Sequence, residues 1–309
     1  MNTVKNYDLI IAGAGPAGIS AAIYGARKGL ELLVVTEDTG GQTNWTGEIE
    51  NYTGFHMITG AELVDKFAEH TEKYGIKIKE QEPVIGLGTE GRLPVVKTTG
   101  GTYPAKSVIV ATGKIFKKLQ VPGEEEFQRK GVAYCATCDA PFFAGKTVAV
   151  AGGGNSAFEY AQQLMQIARK IYLINLDKKP TADQVLQEKV LASNKIELLN
   201  SSVITEITGD RFVQGIKIRN QNEGSTGGHY LEVEGVFVAI GLIPNSSFLS
   251  GLQKNKQGEI LVDNYNRTNL QGIFAAGDVT DVPHKQIIVA AGEGAKAALS
   301  AYSYLVRNY

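Results

Sequence analysis

Asp8-Leu9-Ile10-Ile11-Ala12-Gly13-Ala14-Gly15-Pro16-Ala17-Gly18 is the stretch that fixes the fold class of this chain. The apolar run Leu9 to Ala12 suits a strand buried on both faces of a parallel sheet. Gly13 can make a tight turn, Gly15 can let a phosphate approach the backbone, and Gly18 can let the following helix pack on the strand. Pro16 belongs in a first helical turn, where its missing N–H costs no intrahelical bond, and Ala17 continues that turn. Ile19, Ala22, Ile23 and Ala26 then recur at helical spacing. A second strand is expected over Glu31 to Val35, ending just before the acidic Glu37, about twenty residues past the last glycine. Strand, glycine turn, helix, strand and acid in that order describe a βαβ unit that binds a dinucleotide, with Glu37 placed for ribose hydroxyls.

The same opening occurs again. Thr147-Val148-Ala149-Val150-Ala151 leads into Gly152-Gly153-Gly154-Asn155-Ser156-Ala157. A helix follows, with Ala157, Ala161, Leu164, Met165 and Ala168 on one face, and then a strand, Ile171 to Ile174, runs into Asn175-Leu176-Asp177. Gly152, Gly154 and Ala157 take the places of the three glycines, so this is a second nucleotide site or a relic that keeps its glycines for packing. Val108-Ile109-Val110-Ala111-Thr112-Gly113 is echoed by Val236-Phe237-Val238-Ala239-Ile240-Gly241, which extends the repeat to whole domains. Gly272 to Asp278 reads as another buried strand ending in a tight turn. The fold class is therefore α/β, with two dinucleotide-binding, Rossmann-like, three-layer domains, the second inserted into the first. Residues 1–114 and 245–309 are expected to form one discontinuous domain and 115–244 the insert.

Composition narrows the function. The 309 residues carry a formal net charge of -1, which speaks against a broad footprint for nucleic acid or an anionic membrane. The apolar runs near both ends are too short or too interrupted to span a bilayer, and nothing reads as a targeting segment, so a cytoplasmic protein is expected.

The only two cysteines stand together in Cys135-Ala136-Thr137-Cys138. That spacing serves either a redox pair or half of a metal site. Zinc needs about four ligands, and His56, His70, His229 and His284 are scattered without pattern, so no metal is expected. Thiol–disulfide exchange suits a cysteine pair beside a dinucleotide fold. Asp139 can move a proton to or from a thiolate, or it can be a turn-forming carboxylate.

These motifs, together with Gly40-Gly41-Gln42 and Gly277-Asp278-Val279, resemble the low-molecular-weight thioredoxin reductase family over nearly the whole chain. The resemblance implies FAD bound by Gly13, Gly15, Pro16, Ala17, Gly18, Glu37, Gly41, Gln42, Asn51, Val84, Ala111, Thr112, Gly113, Gly277 and Asp278, with Lys285, Gln286 and Ile287 close to the flavin. It places Gly152, Gly154, Asn155, Ser156, Ala157 and Asp177 at an NAD(P)H site. It makes Cys138 the cysteine nearest the flavin, Cys135 the one that attacks the partner's disulfide, and Asp139 the acid and base. Family members are homodimers, and their inserted domain rotates between two orientations, with hinges expected at Gly113 to Phe116 and Gly241 to Asn245.

One departure bears on the electron donor. Members that use NADPH carry a histidine and arginines after the inserted domain's second strand, where this chain reads Asn175-Leu176-Asp177-Lys178-Lys179-Pro180. Arginine's fork is lost, and Asp177 repels a 2′-phosphate while accepting ribose hydroxyls, so NADH is favoured over NADPH. Ala182-Asp183-Gln184-Val185-Leu186 and Lys285-Gln286-Ile287-Ile288 resemble the NADH-using flavoprotein component of bacterial alkyl hydroperoxide reductase. That component has extra thioredoxin-like folds at its N-terminus, whereas here the first glycine turn follows closely on Met1. The disulfide acceptor is therefore expected to be a separate thioredoxin or glutaredoxin-like protein. The alternative is a ferredoxin-linked thioredoxin reductase that uses no nicotinamide. Relatives of that kind also lose the arginines, but they tend to lose the second glycine turn, which this chain keeps.

Overall fold

In the strand Tyr7–Ala14, successive side chains enter different cores. Leu9 and Ile11 pack with the helical side, while Ile10 and Ala12 pack on the opposite face. That alternation follows from the period of two along a strand, and it makes the apolar run Leu9 to Ala12 the centre of three layers. The inserted unit repeats it. Val148 and Val150 join the helical core, and Ala149 and Ala151 join the other.

The computed structural model describes residues 7–45, 48–49, 51–91, 93–128, 130–221 and 228–309, and excludes the side chains of Trp45, Glu48, Thr137 and Cys138. Met1 to Asn6 lie outside the described residues. By its internal contacts the chain divides into one unit of Met1–Ile115 with Ile243–Tyr309 and a second of Phe116–Leu242.

The two units share one strand order. In the first, Ile78–Lys79, Leu32–Thr39, Tyr7–Ala14, Thr102–Val110 and Ile273–Ala275 lie side by side, all parallel. In the second the order is Ile196–Leu199, Lys170–Ile174, Thr147–Ala151, Gly235–Val238 and Val132–Ala133, again all parallel. The last strand comes from the C-terminal part of the chain in one unit and from the start of the insert in the other. Each unit also has an antiparallel meander. Val84–Glu90 pairs with Leu93–Thr98, which pairs with the first half of Thr102–Val110, and Ser202–Gly209, Val213–Asn220 and Gly228–Glu232 form a three-stranded sheet.

Two element boundaries differ from the sequence reading. The strand after the first helix runs Leu32–Thr39 and carries Glu37 within it instead of stopping before it. The helix after the second turn covers Asn155–Leu164, so Met165 caps it, and Ala168 reaches the core from the turn beyond. The local cause is that the N–H groups of Ile167 and Ala168 both turn back to the Leu164 carbonyl, closing the last turn early. Helix Pro16–Arg27 packs closely on helix Ile287–Asn308, where a Cβ on Gly294 would collide with the Ala17 backbone. Among the described residues no helix is long and apolar enough to cross a membrane.

Candidate active site

The first glycine turn uses its three glycines for three different reasons. Gly13 has φ +105°, a left-handed conformation, and a Cβ there would strike the carbonyl oxygen of Ala111 at the end of the neighbouring strand. A Cβ on Gly18 would strike the carbonyl oxygen of Gly13, so the helix can approach its own strand only without a side chain. Gly15 is different. It N-caps helix Pro16–Arg27 with no side-chain hydrogen bond, and nothing lies within 4 Å of where its Cβ would be. Open space beside an uncapped helix start, with no acidic residue in the first turn, suits a pyrophosphate.

The residues expected around FAD all belong to this unit. Gly41 opens the 310 turn Gly41–Trp45, and its Cβ position is 3.6 Å from the Gly15 Cα, so the Gly40-Gly41-Gln42 loop borders the phosphate space. Gln42 Nε2 donates to the Lys114 carbonyl at 3.0 Å. Ala17 and Gly277 meet closely, since a Cβ on Gly277 would come within 2.9 Å of the Ala17 Cβ. Glu37 is exposed, and Val84 is buried in the meander-side core. The Ala111 N–H donates to the Ala12 carbonyl at 2.8 Å, and Thr112 Oγ1 donates to the Asn245 carbonyl at 2.7 Å. Asn245 returns an N–H to Gly113 at 2.9 Å. Asn51 Nδ2 donates to Gln286 Oε1 at 3.0 Å, which holds the loop at 51 to the N-cap of helix Ile287–Asn308.

A charged cluster lies in the same unit. Lys114 and Lys285 both reach Glu259 Oε1, each at 3.1 Å, and Asn255 Nδ2 donates to Glu259 Oε2 at 2.7 Å. Burial raises the Asp278 carboxyl above its ordinary value, and the nearby Glu259 charge adds to this, against the pull of Lys285 and Lys114. Lys114 and Glu259 were missed in the sequence. Lys114 stands directly after Gly113, a usable signal, but its pairing with Glu259 spans 145 positions and leaves no local trace.

The second glycine turn repeats the first, with one difference. Gly152 has φ +141°, and its Cβ would strike the Ala239 carbonyl oxygen, the counterpart of Ala111 in the strand-end echo. Gly154 N-caps helix Asn155–Leu164 without a side-chain bond, and only Thr181 Oγ1, at 3.8 Å, borders its Cβ position. Ala157 replaces the third glycine and is fully buried, so this turn leaves room for one methyl group. The segment 181–183 folds back onto the turn. Thr181 and Ala182 donate N–H bonds to Gly153, while Asn155 and Asp183 exchange hydrogen bonds at 3.0 and 2.7 Å. Ser156 is exposed beside them. The Asp177 backbone is fixed by Asn175 Nδ2 at 2.8 Å and by the Ser201 N–H at 2.9 Å, and its carboxylate is exposed.

Cys135 is disulfide-bonded and 5% exposed. The one other cysteine is Cys138, whose side chain lies outside the described residues. Cys135 precedes the single helical turn Ala136–Asp139, closed by the Asp139 N–H on the Cys135 carbonyl at 3.2 Å. Asp139 is half-buried, and its side chain does not cap the 310 turn Ala140–Phe143 that follows. Phe142 in that turn is 72% exposed, a large apolar ring on the surface just past the redox loop. All four histidines are exposed, and among the described residues no cluster could hold a metal ion.

Two dinucleotide turns in nested units, with a disulfide-bonded cysteine in the inserted one, define the class of two-nucleotide disulfide oxidoreductases. Comparison with known proteins narrows it. Residues 7–294 match the model of the pyridine nucleotide-disulphide oxidoreductase family. The chain is 42% identical to an alkyl hydroperoxide reductase component of Escherichia coli (strain K12), over 100% of this chain and 60% of that protein. It is similarly 42% identical to the corresponding alkyl hydroperoxide reductase component of Staphylococcus aureus (strain NCTC 8325 / PS 47), over 98% of this chain and 60% of the relative. The chain thus spans about 60% of the length of these curated relatives. Among solved structures, Lactococcus lactis thioredoxin reductase (FR conformation) aligns at 38% identity and a TM-score of 0.85, over 97% of this chain and 99% of the other. The thioredoxin reductase of T. acidophilum aligns at 38% identity and a TM-score of 0.83, with the same coverage. The chain belongs to the pyridine nucleotide-disulphide oxidoreductase family, in its thioredoxin reductase branch.

Proposed function

We propose that this protein transfers electrons from NAD(P)H, with NADH preferred, to the disulfide of a thioredoxin or glutaredoxin-like protein by way of a Cys135–Cys138 pair. The single observation that carries this reading is the disulfide bond of Cys135 in the loop that leads into the second dinucleotide turn. FAD supplies a two-electron carrier between nicotinamide and disulfide when bound at the first turn. The open space at Gly15, the uncapped start of helix Pro16–Arg27 and the Gly41 approach fit its pyrophosphate.

The chain's own residues account for the rest. Reduction of the pair takes two electrons and two protons, of which reduced nicotinamide brings both electrons and one proton as hydride. Asp139, the residue after Cys138 in the sequence, handles the second proton at a cysteine sulfur. In the outward half, a thiolate at Cys135 attacks the partner's disulfide, a mixed disulfide forms, and Cys138 resolves it. The partner leaves as a dithiol, and the pair returns to its oxidised form. Cys135 has to become exposed for this, because it is buried in the oxidised structure. Phe142 offers the partner an apolar contact beside the loop. The exposed Asp177, with its backbone held by Asn175 and Ser201, supports ribose recognition and hence NADH.

A homodimer and a cytoplasmic setting complete the proposal. A ferredoxin-linked reading has a solved relative, the ferredoxin-flavin thioredoxin reductase of Clostridium acetobutylicum, 33% identical with a TM-score of 0.54. The ordered second turn, with Thr181 and Ala182 folded onto Gly153, favours a nicotinamide donor. The test is turnover with NADH and a thioredoxin. Cys135→Ser and Cys138→Ser should each abolish it while FAD stays bound, whereas wild-type turnover by either variant contradicts the mechanism.

A further inference from the structure

Helix Asn155–Leu164 buries Ala157, Phe158, Ala161 and Leu164, each with no exposed surface, against the helical core of the inserted unit. Tyr160 lies on the flank of that stripe and is half-buried. Its hydroxyl donates to the backbone carbonyl of Tyr134 at 2.7 Å, and Tyr134 is the residue immediately before Cys135.

Tyr134 is held at two further points. Its own hydroxyl donates to Glu124 Oε1 at 2.7 Å. Glu124 is 1% exposed and also accepts the N–H groups of Leu119 and Gln120, at 2.8 and 2.7 Å. The Tyr134 ring lies 5.9 Å from that of Phe116, centroid to centroid. Hydroxyl and ring are thus anchored by Glu124 and Phe116, and the carbonyl that leads into the redox loop is anchored by Tyr160. Burial, with the charges of Glu159 and Asp139 adding to it, pushes the Tyr160 hydroxyl up to about 12. Tyr160 therefore keeps its proton and remains a donor throughout the physiological range.

We propose that Tyr160 is a positioning residue for the redox loop, its hydrogen bond to the Tyr134 carbonyl stabilising the oxidised form of the Cys135 loop over the reduced one. The inference rests on the disulfide reductase reading. The bond exists in the structure with Cys135 disulfide-bonded, and Tyr160 thereby couples helix Asn155–Leu164, which opens on the second glycine turn, to the residue immediately before Cys135.

The test is the disulfide–dithiol equilibrium of the FAD-loaded protein in dithiothreitol buffers, read by alkylation of the thiols, with no nicotinamide present. Tyr160→Phe removes a single oxygen. It should shift the equilibrium about fivefold towards the dithiol, roughly 20 mV at 29.6 mV per tenfold. Its FAD content and NADH affinity should match the wild type. A Tm that falls with an unchanged equilibrium would show a purely structural hydroxyl and overturn the proposal, as would a shift towards the disulfide. If Tyr160→Phe is insoluble, Tyr160→Met gives the same reading. Because the equilibrium is set by dithiothreitol, it stays measurable even if NADH and thioredoxin support no turnover, so failure of the functional reading and failure of this one give different results.

Discussion

The carbonyl oxygen of Gly13 occupies the space that a Cβ on Gly18 would need, which locks the first helix onto its own strand. Packing alone therefore demands a glycine at position 18. Gly15, between the two, faces no such demand, for its φ of −72° is open to any residue and the space beside it is empty.

Gly18→Ala and Gly15→Ala should consequently behave differently. Gly18→Ala forces helix and turn apart and should cost about 1–3 kcal/mol, seen as a lower Tm of the apoprotein. Gly15→Ala should leave that Tm within about 0.5 kcal/mol of wild type yet weaken FAD binding roughly tenfold, about 1.4 kcal/mol. Titration of both apoproteins with FAD, beside thermal melts, checks the pair. Equal FAD affinity in Gly15→Ala and wild type would remove the pyrophosphate from this turn.

Glu259 should make stability depend on pH. Burial works against its charge, but hydrogen bonds from Asn255, Lys114 and Lys285 hold the carboxyl below its ordinary value of 4.5. A carboxylate depressed in the folded state contributes stability that is full above the unfolded value and is lost as pH falls through the folded one. Glu259→Gln should therefore lower stability by roughly 2 kcal/mol at neutral pH, and the gap to wild type should close below pH 4.5. Thermal melts from pH 7 down to about 3 check it. A gap independent of pH would mean that the charge of Glu259 contributes nothing.

Nucleotide choice should follow Asp177. NADH is expected to have the larger kcat/KM, and Asp177→Ala should narrow the ratio to NADPH about fivefold, the equivalent of roughly 1 kcal/mol of relieved repulsion. Steady-state kinetics with both nucleotides decide this. A clear preference for NADPH in the wild type would mean that Lys178 and Lys179 hold the phosphate.

Much of the architecture was legible because glycine turns and apolar runs are local. Gly13 and Gly152 announce the two strand-to-helix turns, and the echo of Ala111 in Ala239 marks the carbonyls that those turns pack against. The meanders Val84–Thr98 and Ser202–Glu232 left no repeat to find, since half-exposed antiparallel strands constrain only alternate residues. Strand Leu32–Thr39 outruns its apolar run because backbone pairing continues past the last buried side chain. Side-chain partnerships were the least visible. Glu259 meets Lys114, and Tyr160 meets Tyr134, only because the sheet order brings distant segments together, which no spacing rule encodes.

The most direct test of the electron path is an anaerobic thiol count. The FAD-loaded protein would be mixed in parallel with NADH, NADPH and reduced ferredoxin, and thiols would be trapped by alkylation before and after adding oxidised thioredoxin. NADH should bleach the flavin and expose two thiols per chain, one at Cys135 and one at Cys138, and both should disappear as thioredoxin thiols appear in equal number. Flavin reduced by NADH with no thiol released, or thiols released by ferredoxin alone, would contradict the account.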